Sequence, residues 1–579
     1  MEVSIPSLLI LTPLFGGAAA FLCGLVKLRL TAGILTTLFL GFGLGISLRG
    51  AGLILMAGGI PRSGSAVLVA GGWLPGVGIE LRYDGVAAVM AVLFFLVALL
   101  VLLHALSEGE RRPIFFGVYS IALAGMIGVV LSADLFNLFV FFEVLSLSAA
   151  ILVAYERTLP AMQAAFRYLL VATLSISLYL LGIFLLYRLS GELSFSAVAA
   201  SLSDAGGSFQ ARLALVLLFG ALATRVALVP FHGWLPEAHG QAPTAVSALL
   251  SGLMLKAGFV AFWHVLQLFP ISEGRVLLAW VGALSALLGA VIALLQEDAK
   301  RLLAYSSISQ LGYIATAAGA GAFGAAFYHL LSHAFYKSLL FLLIGGWVHQ
   351  WGARGIESIR HLRAQGAGSR WEERIKGGLL LLGVAAIVGL PPFSAYVSKG
   401  LMGLFMKGEP VYIVIQVAGV VTAAALLKLG LIAIPKKAAR VEGRGGAEER
   451  QGQGAGSALG EGETPGVPGR SLGVLSLLLL FLPTLALGGV PEVVTQGLSN
   501  LGIPELSSAV AKAELYGWTG LLSSLWPVAL GLLLLAMLRT PVARRIMGAP
   551  RRLGVDGAMA LVGVGTVAIG GVLLLYGSI

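Results

Sequence analysis

Residues 225–256 read RVALVPFHGWLPEAHGQAPTAVSALLSGLMLK, an apolar stretch with a charge at each end, Arg225 and Lys256, and prolines at 230, 236 and 243. A proline inside an apolar helix removes a hydrogen bond to the preceding turn and frees backbone polar groups. In lipid such groups are tolerated only where they face other protein or a hydrated cavity. The same interruption recurs at 389–399, GLPPFSAYVSK, which again ends on a charge, Lys399. Broken helices at corresponding places in two halves point to inverted repeats whose freed groups line a cavity near the midplane. The expected repeats are residues 114–268 and 276–435, of five helices each.

Composition places both stretches in a bilayer. Of 579 residues, 58% are hydrophobic and 11% charged, and the mean hydropathy is +0.95. No soluble core needs that much apolar surface. The 78 glycines fit closely packed membrane helices. The single cysteine, Cys23, excludes a disulfide framework, a Cys-rich zinc site and Cys-ligated iron–sulfur clusters within this chain. Packing is its expected role.

At roughly 20 residues per span, the apolar runs predict about sixteen spans, beginning near residues 4, 30, 85, 114, 134, 161, 211, 243, 276, 302, 323, 377, 411, 471, 520 and 556. The fold class is therefore an all-α polytopic membrane protein. It has about 14 core helices, two broken-helix repeats and about two further C-terminal helices. The first apolar run follows an acidic rather than a basic start and reads as a spanning helix retained in the protein. Residues 1–113 form the N-terminal helices, and 471–579 the C-terminal helices and extension.

Every second connection is basic, among them Lys27 and Arg29, Arg111 and Arg112, Lys300 and Arg301, and the run from Arg354 to Lys376. By the positive-inside rule these lie in the cytoplasm and both termini lie outside. The connection after the seventh span departs from the alternation, with only Glu237 and weakly basic histidines. The net charge of +11 comes from these short loops, not from a stripe of the kind that binds nucleic acid. AVLVAGGWLPGVGIELRYDG, residues 66–85, alternates and carries turn residues, so it predicts an external hairpin. Residues 441–470, rich in Gly, Glu and Pro, predict a cytoplasmic loop without a core. Asp84 and Asp134 stand at helix starts and read as caps.

Glu143, Arg225, Lys256, Lys337 and Lys399 all fall within apolar segments. Each costs about 2.5–3.5 kcal/mol at a helix centre on insertion scales, so a purpose such as an ion path is expected. His329, His333 and Lys337 are spaced four apart, within about 80° of one helical face. Histidine titrates nearest neutrality, so that face suits a proton relay; interhelical bonding is the structural alternative. An ion pair that opens and closes can switch whether a buried lysine holds its proton. His232, seven residues after Arg225, would align with it on an unbroken helix; with the break it could equally satisfy freed carbonyls.

Together with FFEVLSLSA at 141–149, KRLLAYSSISQLGY at 300–313 and YHLLSHAFYKSLLF at 328–341, the two broken stretches carry a resemblance. The chain resembles the antiporter-like subunits shared by respiratory complex I, Mrp-type sodium/proton antiporters and membrane-bound group 4 hydrogenases. The resemblance covers roughly residues 70–490, and the spans after 515 look like an extension. It implies that Glu143 is the carboxylate of the fifth helix, Lys256 the lysine of the eighth, Lys337 the residue of the eleventh and Lys399 the ionisable group of the broken twelfth. It implies further that these groups, joined by waters, form an axis along which protons or sodium move. Tyr305, Ser306, Ser307 and Ser309 resemble the family's polar patch on the tenth helix.

One position departs from the pattern. The family usually has lysine five residues before this proline, and Arg225 does not release its proton. It can pair with Glu143, either as an electrostatic gate or as part of a first half that has become structural. The implied function is an ion-translocating subunit of a larger assembly in a prokaryotic inner membrane. Its partners would be the bilayer and other membrane subunits, with no cofactor of its own and any redox chemistry elsewhere. A self-sufficient antiporter and a non-conducting scaffold are the alternatives. Gly319, Gly321 and Gly324 spell GxGxxG without a preceding strand, which argues against a nucleotide site.

Overall fold

The computed structural model describes residues 4–56, 66–69, 78–205, 207–269, 272–365, 370–434, 470–503, 506 and 518–538. The chain begins with α1 (Ile5–Leu25) and α2 (Arg29–Met56), followed by the antiparallel strands β1 (Ala66–Val69) and β2 (Glu80–Tyr83). Next come α3 (Gly85–Ser107), α4 (Pro113–Leu131), α5 (Leu135–Val153), α6 (Leu159–Ser190), the short α7 (Phe195–Ala205), α8 (Phe209–Arg225) and α9 (Trp234–Gln241). α10 (Thr244–Leu249) and α11 (Leu255–Leu266) are joined by a π turn at Leu250–Met254. The second half runs through α12 (Glu273–Leu295), α13 (Ala299–Gly319), α14 (Phe323–Trp351), the short α15 (Ile356–Ala364), α16 (Arg370–Val388), α17 (Ser394–Met406) and α18 (Pro410–Gly430). α19 (Arg470–Gly489), α20 (Pro491–Asn500) and α21 (Trp518–Leu538) complete the described part.

Eleven of the described helices, with α10 through α11 counted as one, are long and apolar enough to cross a membrane, and the protein is a polytopic all-α membrane protein. α8 with α9 and α16 with α17 are the shorter pieces of the two proline-broken spans. The spans expected near 4 to 520 each fall on a helix. The one expected near 556, and the loop at 441–470, lie outside the described residues.

Local chemistry sets the helix ends. Asp84 and Asp134 cap α3 and α5, accepting from the backbone N–H of Ala87 at 2.8 Å and of Asn137 at 2.6 Å. Asp134 also accepts from the Glu80 N–H at 3.0 Å, which ties the hairpin to the bundle. Burial pushes the Asp134 carboxyl up, against these backbone N–H groups, which pull it down. On the same side, Leu81 bridges Ser132, and Asp134 bridges Ser194. At the opposite end Asp298 bridges Gly355 and Lys300 donates to the Ala242 carbonyl at 2.8 Å. Arg354 reaches Gln241 there at 3.3 Å. The turn after α9, which lacks cations of its own, thus takes two from neighbouring connections.

The order of contacts repeats. α4 packs on α5 and on α11, the last helix of its group of five, and α12 packs on α13 and α18 in the same way. Close approach is built on small residues: a Cβ at Gly312 or Gly319 of α13 would overlap the backbone of α12. The GxGxxG glycines therefore serve a helix seam and a turn. Cys23 is buried and free.

Candidate ion path

The first break follows α8, which starts on the Ser208 cap and ends on Arg225. Its polar groups find partners: the Trp234 indole donates to the Thr224 carbonyl at 3.0 Å, and the Val229 N–H donates to the Ser285 hydroxyl at 2.9 Å. Arg225 turns toward α5 and α6. Its Nη2 lies 3.6 Å from the Glu143 carboxylate and 3.4 Å from the Ala172 carbonyl, and Nη1 donates to the Ser146 hydroxyl. The guanidinium carbon stands 5.2 Å from the centre of the Phe142 ring. Arg225 is held from four directions, in a small cavity that Tyr168, Trp234 and Met254 also line. The Glu143 side chain remains 37% exposed on the flank of the bundle.

His232 lies in the same break but does not join this cluster. Its ring faces Tyr305 at 6.2 Å, and its Nδ1 is buried without a hydrogen-bond partner. Of the two roles open in the sequence, alignment with Arg225 is lost at the break, and Nδ1 makes no hydrogen bond to a freed carbonyl.

Lys256 sits two residues after the π turn, a feature that in other helices often marks functional sites. It is completely buried, so it does not snorkel, and its Nζ donates to the Ser251 carbonyl within the turn. The Ser251 hydroxyl meets that of Ser307 on α13 at 2.9 Å. A Cβ at Gly252 would overlap the Ser338 hydroxyl, so this glycine lets α14 come close.

α14 carries the longest run of buried polar groups. Lys337 donates to the Leu303 carbonyl at 2.9 Å and to the Ser306 hydroxyl, both on α13. His333 is fully buried and neither ring nitrogen has a hydrogen-bond partner. His329 bonds on both sides, to the Ser398 hydroxyl at 2.7 Å and to Gln310 Oε1 at 3.0 Å. Ser398 precedes Lys399, whose Nζ donates at 3.0 Å to each of the Ile387 and Val388 carbonyls that end α16. Lys399 Nζ also lies 5.4 Å from the centre of the Tyr313 ring. The free end of α16 presents the negative pole of a helix dipole to this amine. Gly389, at φ +97°, turns the chain immediately after it.

The structure brings Lys337, His333, His329 and Lys399 onto one α13–α14–α17 wall and Glu143 with Arg225 onto a separate α5–α6–α8 cluster. Lys256 stands between them. Sequence reading missed one member of this interior: His239 on α9, fully buried with both ring nitrogens unpartnered. It was grouped with the loop histidines after the seventh span. No local signal in the sequence marks it, because its burial comes from tertiary contact.

Proteins of this build form a known class, polytopic helical membrane proteins with charged side chains at interrupted helices. Residues 132–424 match the family described as "NADH:quinone oxidoreductase/Mrp antiporter, TM", and the chain belongs to that family. It is 31% identical over 462 residues to NADH-quinone oxidoreductase subunit N of Desulforudis audaxviator (strain MP104C), covering 76% of this chain and 89% of that one. It matches a chain of the membrane-bound sulfane sulfur reductase, an archaeal respiratory membrane complex, with a TM-score of 0.73 and 26% identity over 88% of this chain and 99% of that one. A chain of the Mrp complex from Dietzia sp. DQ12-45-1b matches with a TM-score of 0.74 and 25% identity, over 98% of this chain and 60% of that one.

Proposed function

We propose that this chain is an ion-translocating subunit of a multi-subunit membrane complex of the complex I, Mrp or respiratory kind. Protons pass along Lys256, Lys337, His333, His329 and Lys399, and residues 114–268 and 276–435 act as inverted repeats. The observation that carries this reading is the run of buried amines and imidazoles from the π turn to the second break. Such groups are expensive to keep in a membrane interior and suit proton transfer. The proton is taken as the carried ion, with sodium as the alternative, because the buried line is made of amines and imidazoles, which bind and release protons.

Each lysine can release its proton, and its carbonyl partners can hold the charged form while it waits. The two unpartnered nitrogens of His333 allow it to accept from one neighbour and donate to the other, between Lys337 and His329. Arg225 stays charged, so Glu143 is held by a fixed cation and the first break is an electrostatic element rather than a carrier. Other membrane subunits supply the driving reaction or the remaining ion route.

Lys337→Ala in the intact assembly, with proton uptake followed by a pH-sensitive dye in sealed vesicles, tests this. The reading expects a loss of about 100-fold, the usual weight of a positioned proton-transfer group. Unchanged uptake with normal assembly would leave the chain a scaffold.

A further inference from the structure

His239 is the one fully buried histidine that this path does not use and that has no hydrogen-bond partner on either ring nitrogen. Leaving a buried polar group unpaired is costly, so packing alone is a poor reason for an imidazole there. Its ring stacks on Phe341 of α14, 4.5 Å between centroids and 18° between planes. Phe341 continues the four-residue series His329, His333, Lys337, each step about 6 Å along the axis. His239 thus supplies from α9 the polar group that α14 lacks at this level.

Its surroundings give a direction. The His239 carbonyl accepts from the Ser247 hydroxyl at 3.3 Å, and Ala242, three residues on, is held by Lys300. Gln241 meets Arg354 at the basic, cytoplasmic end of the bundle. The charged side chains acting on the ring are Lys300, Lys337 and Lys256, none of them a carboxylate that would hold a proton in an ion pair. Lys300 marks the cytoplasmic side and Lys337 the buried line.

Resting on the function proposed above, we infer that His239 is a further proton carrier, the link between the cytoplasmic surface and Lys337. One ring nitrogen takes a proton passed inward from the cytoplasmic surface through intervening water, and the other releases one through a second water to the uncharged Lys337 amine. The ring returns to neutrality with its tautomer exchanged, and a ring flip resets it.

The test uses His239→Phe, which keeps the stacked ring without nitrogens, and His239→Gln, which keeps hydrogen bonding without titrating near neutrality. Both are studied in the intact assembly in inverted vesicles, with Lys399→Ala as control. Proton uptake is followed by a pH-sensitive dye while the pH on each side is varied separately. The inference expects uptake to fall at least tenfold in both variants. It also expects the dependence on cytoplasmic pH to flatten while the dependence on external pH is kept. Wild-type uptake, an equal change on both sides, or failure of both variants to assemble would overturn it. If Lys399→Ala also pumps normally, the proposed function itself fails; if only the His239 variants do, this link alone fails.

Discussion

The break after Arg225 and the break before Lys399 face one problem, backbone carbonyls freed inside a membrane, and meet it with different donors. In the first, an indole from Trp234 takes the Thr224 carbonyl, and Arg225 is left to bind Glu143, Ser146 and Ala172. In the second, the carbonyls of Ile387 and Val388 are themselves the seat of Lys399, with no carboxylate among its described partners. A permanently charged group locked to an acid makes a fixed element. An amine on helix-end carbonyls can lose its proton, because the carbonyls remain acceptable to water or to a neighbour. The first break is therefore built as a fixed ion pair, whereas the second seats an amine that is able to titrate.

The largest effect is expected from removing the second seat. Lys399→Ala should reduce proton uptake by about 100-fold with the assembly retained, measured by dye quenching in sealed vesicles. Next is Glu143→Gln combined with Arg225→Gln. The pair should be strongly non-additive, with a coupling of about 0.5–3 kcal/mol in denaturant or thermal unfolding, and additive losses would mean that Arg225 is held by Ser146 and Ala172 alone. Trp234→Phe should cost about 1 kcal/mol by freeing the Thr224 carbonyl, read as a lowered Tm, and should leave uptake nearly unchanged.

The smallest effect lies outside the membrane, in the turn between α3 and α4. Burial alone would raise the Glu110 carboxyl, but the Arg112 side chain and backbone, with Tyr155, bring it below its ordinary value. A depressed carboxyl stabilises the fold above the unfolded value of about 4.3. That contribution is lost as pH falls through the lower folded value. Glu110→Gln should therefore lower Tm by about 1–2 °C at pH 7 and by less at pH 3, as suits a partly exposed ion pair.

Much of this was legible in the sequence. The prolines at 230 and 391–392 fixed where the helices break, since proline acts locally on its own turn. Asp84 and Asp134 were readable as caps, and the β1–β2 hairpin as alternation with turn residues, for the same reason. The Glu143–Arg225 approach followed from two charges that each need a partner. What was not legible depends on tertiary contact. The carbonyl seat of Lys399 depends on how α17 folds back on α16, and the π turn under Lys256 depends on Gly252 admitting α14. His239 looked like a loop residue because α9 is only eight residues long and is covered by α6 and α13, with Phe341 of α14 stacked on the ring. Short amphipathic helices such as α7 and α15 fell below the length at which apolar runs are counted.

The most direct test of the contrast between the two breaks is proton uptake by the intact assembly carrying Lys399→Arg. That change keeps the charge over the Ile387 and Val388 carbonyls and removes the ability to release a proton. The account predicts that the variant assembles and that uptake falls at least tenfold. Wild-type uptake would contradict it, because a fixed charge would then serve the second break as well as it serves the first.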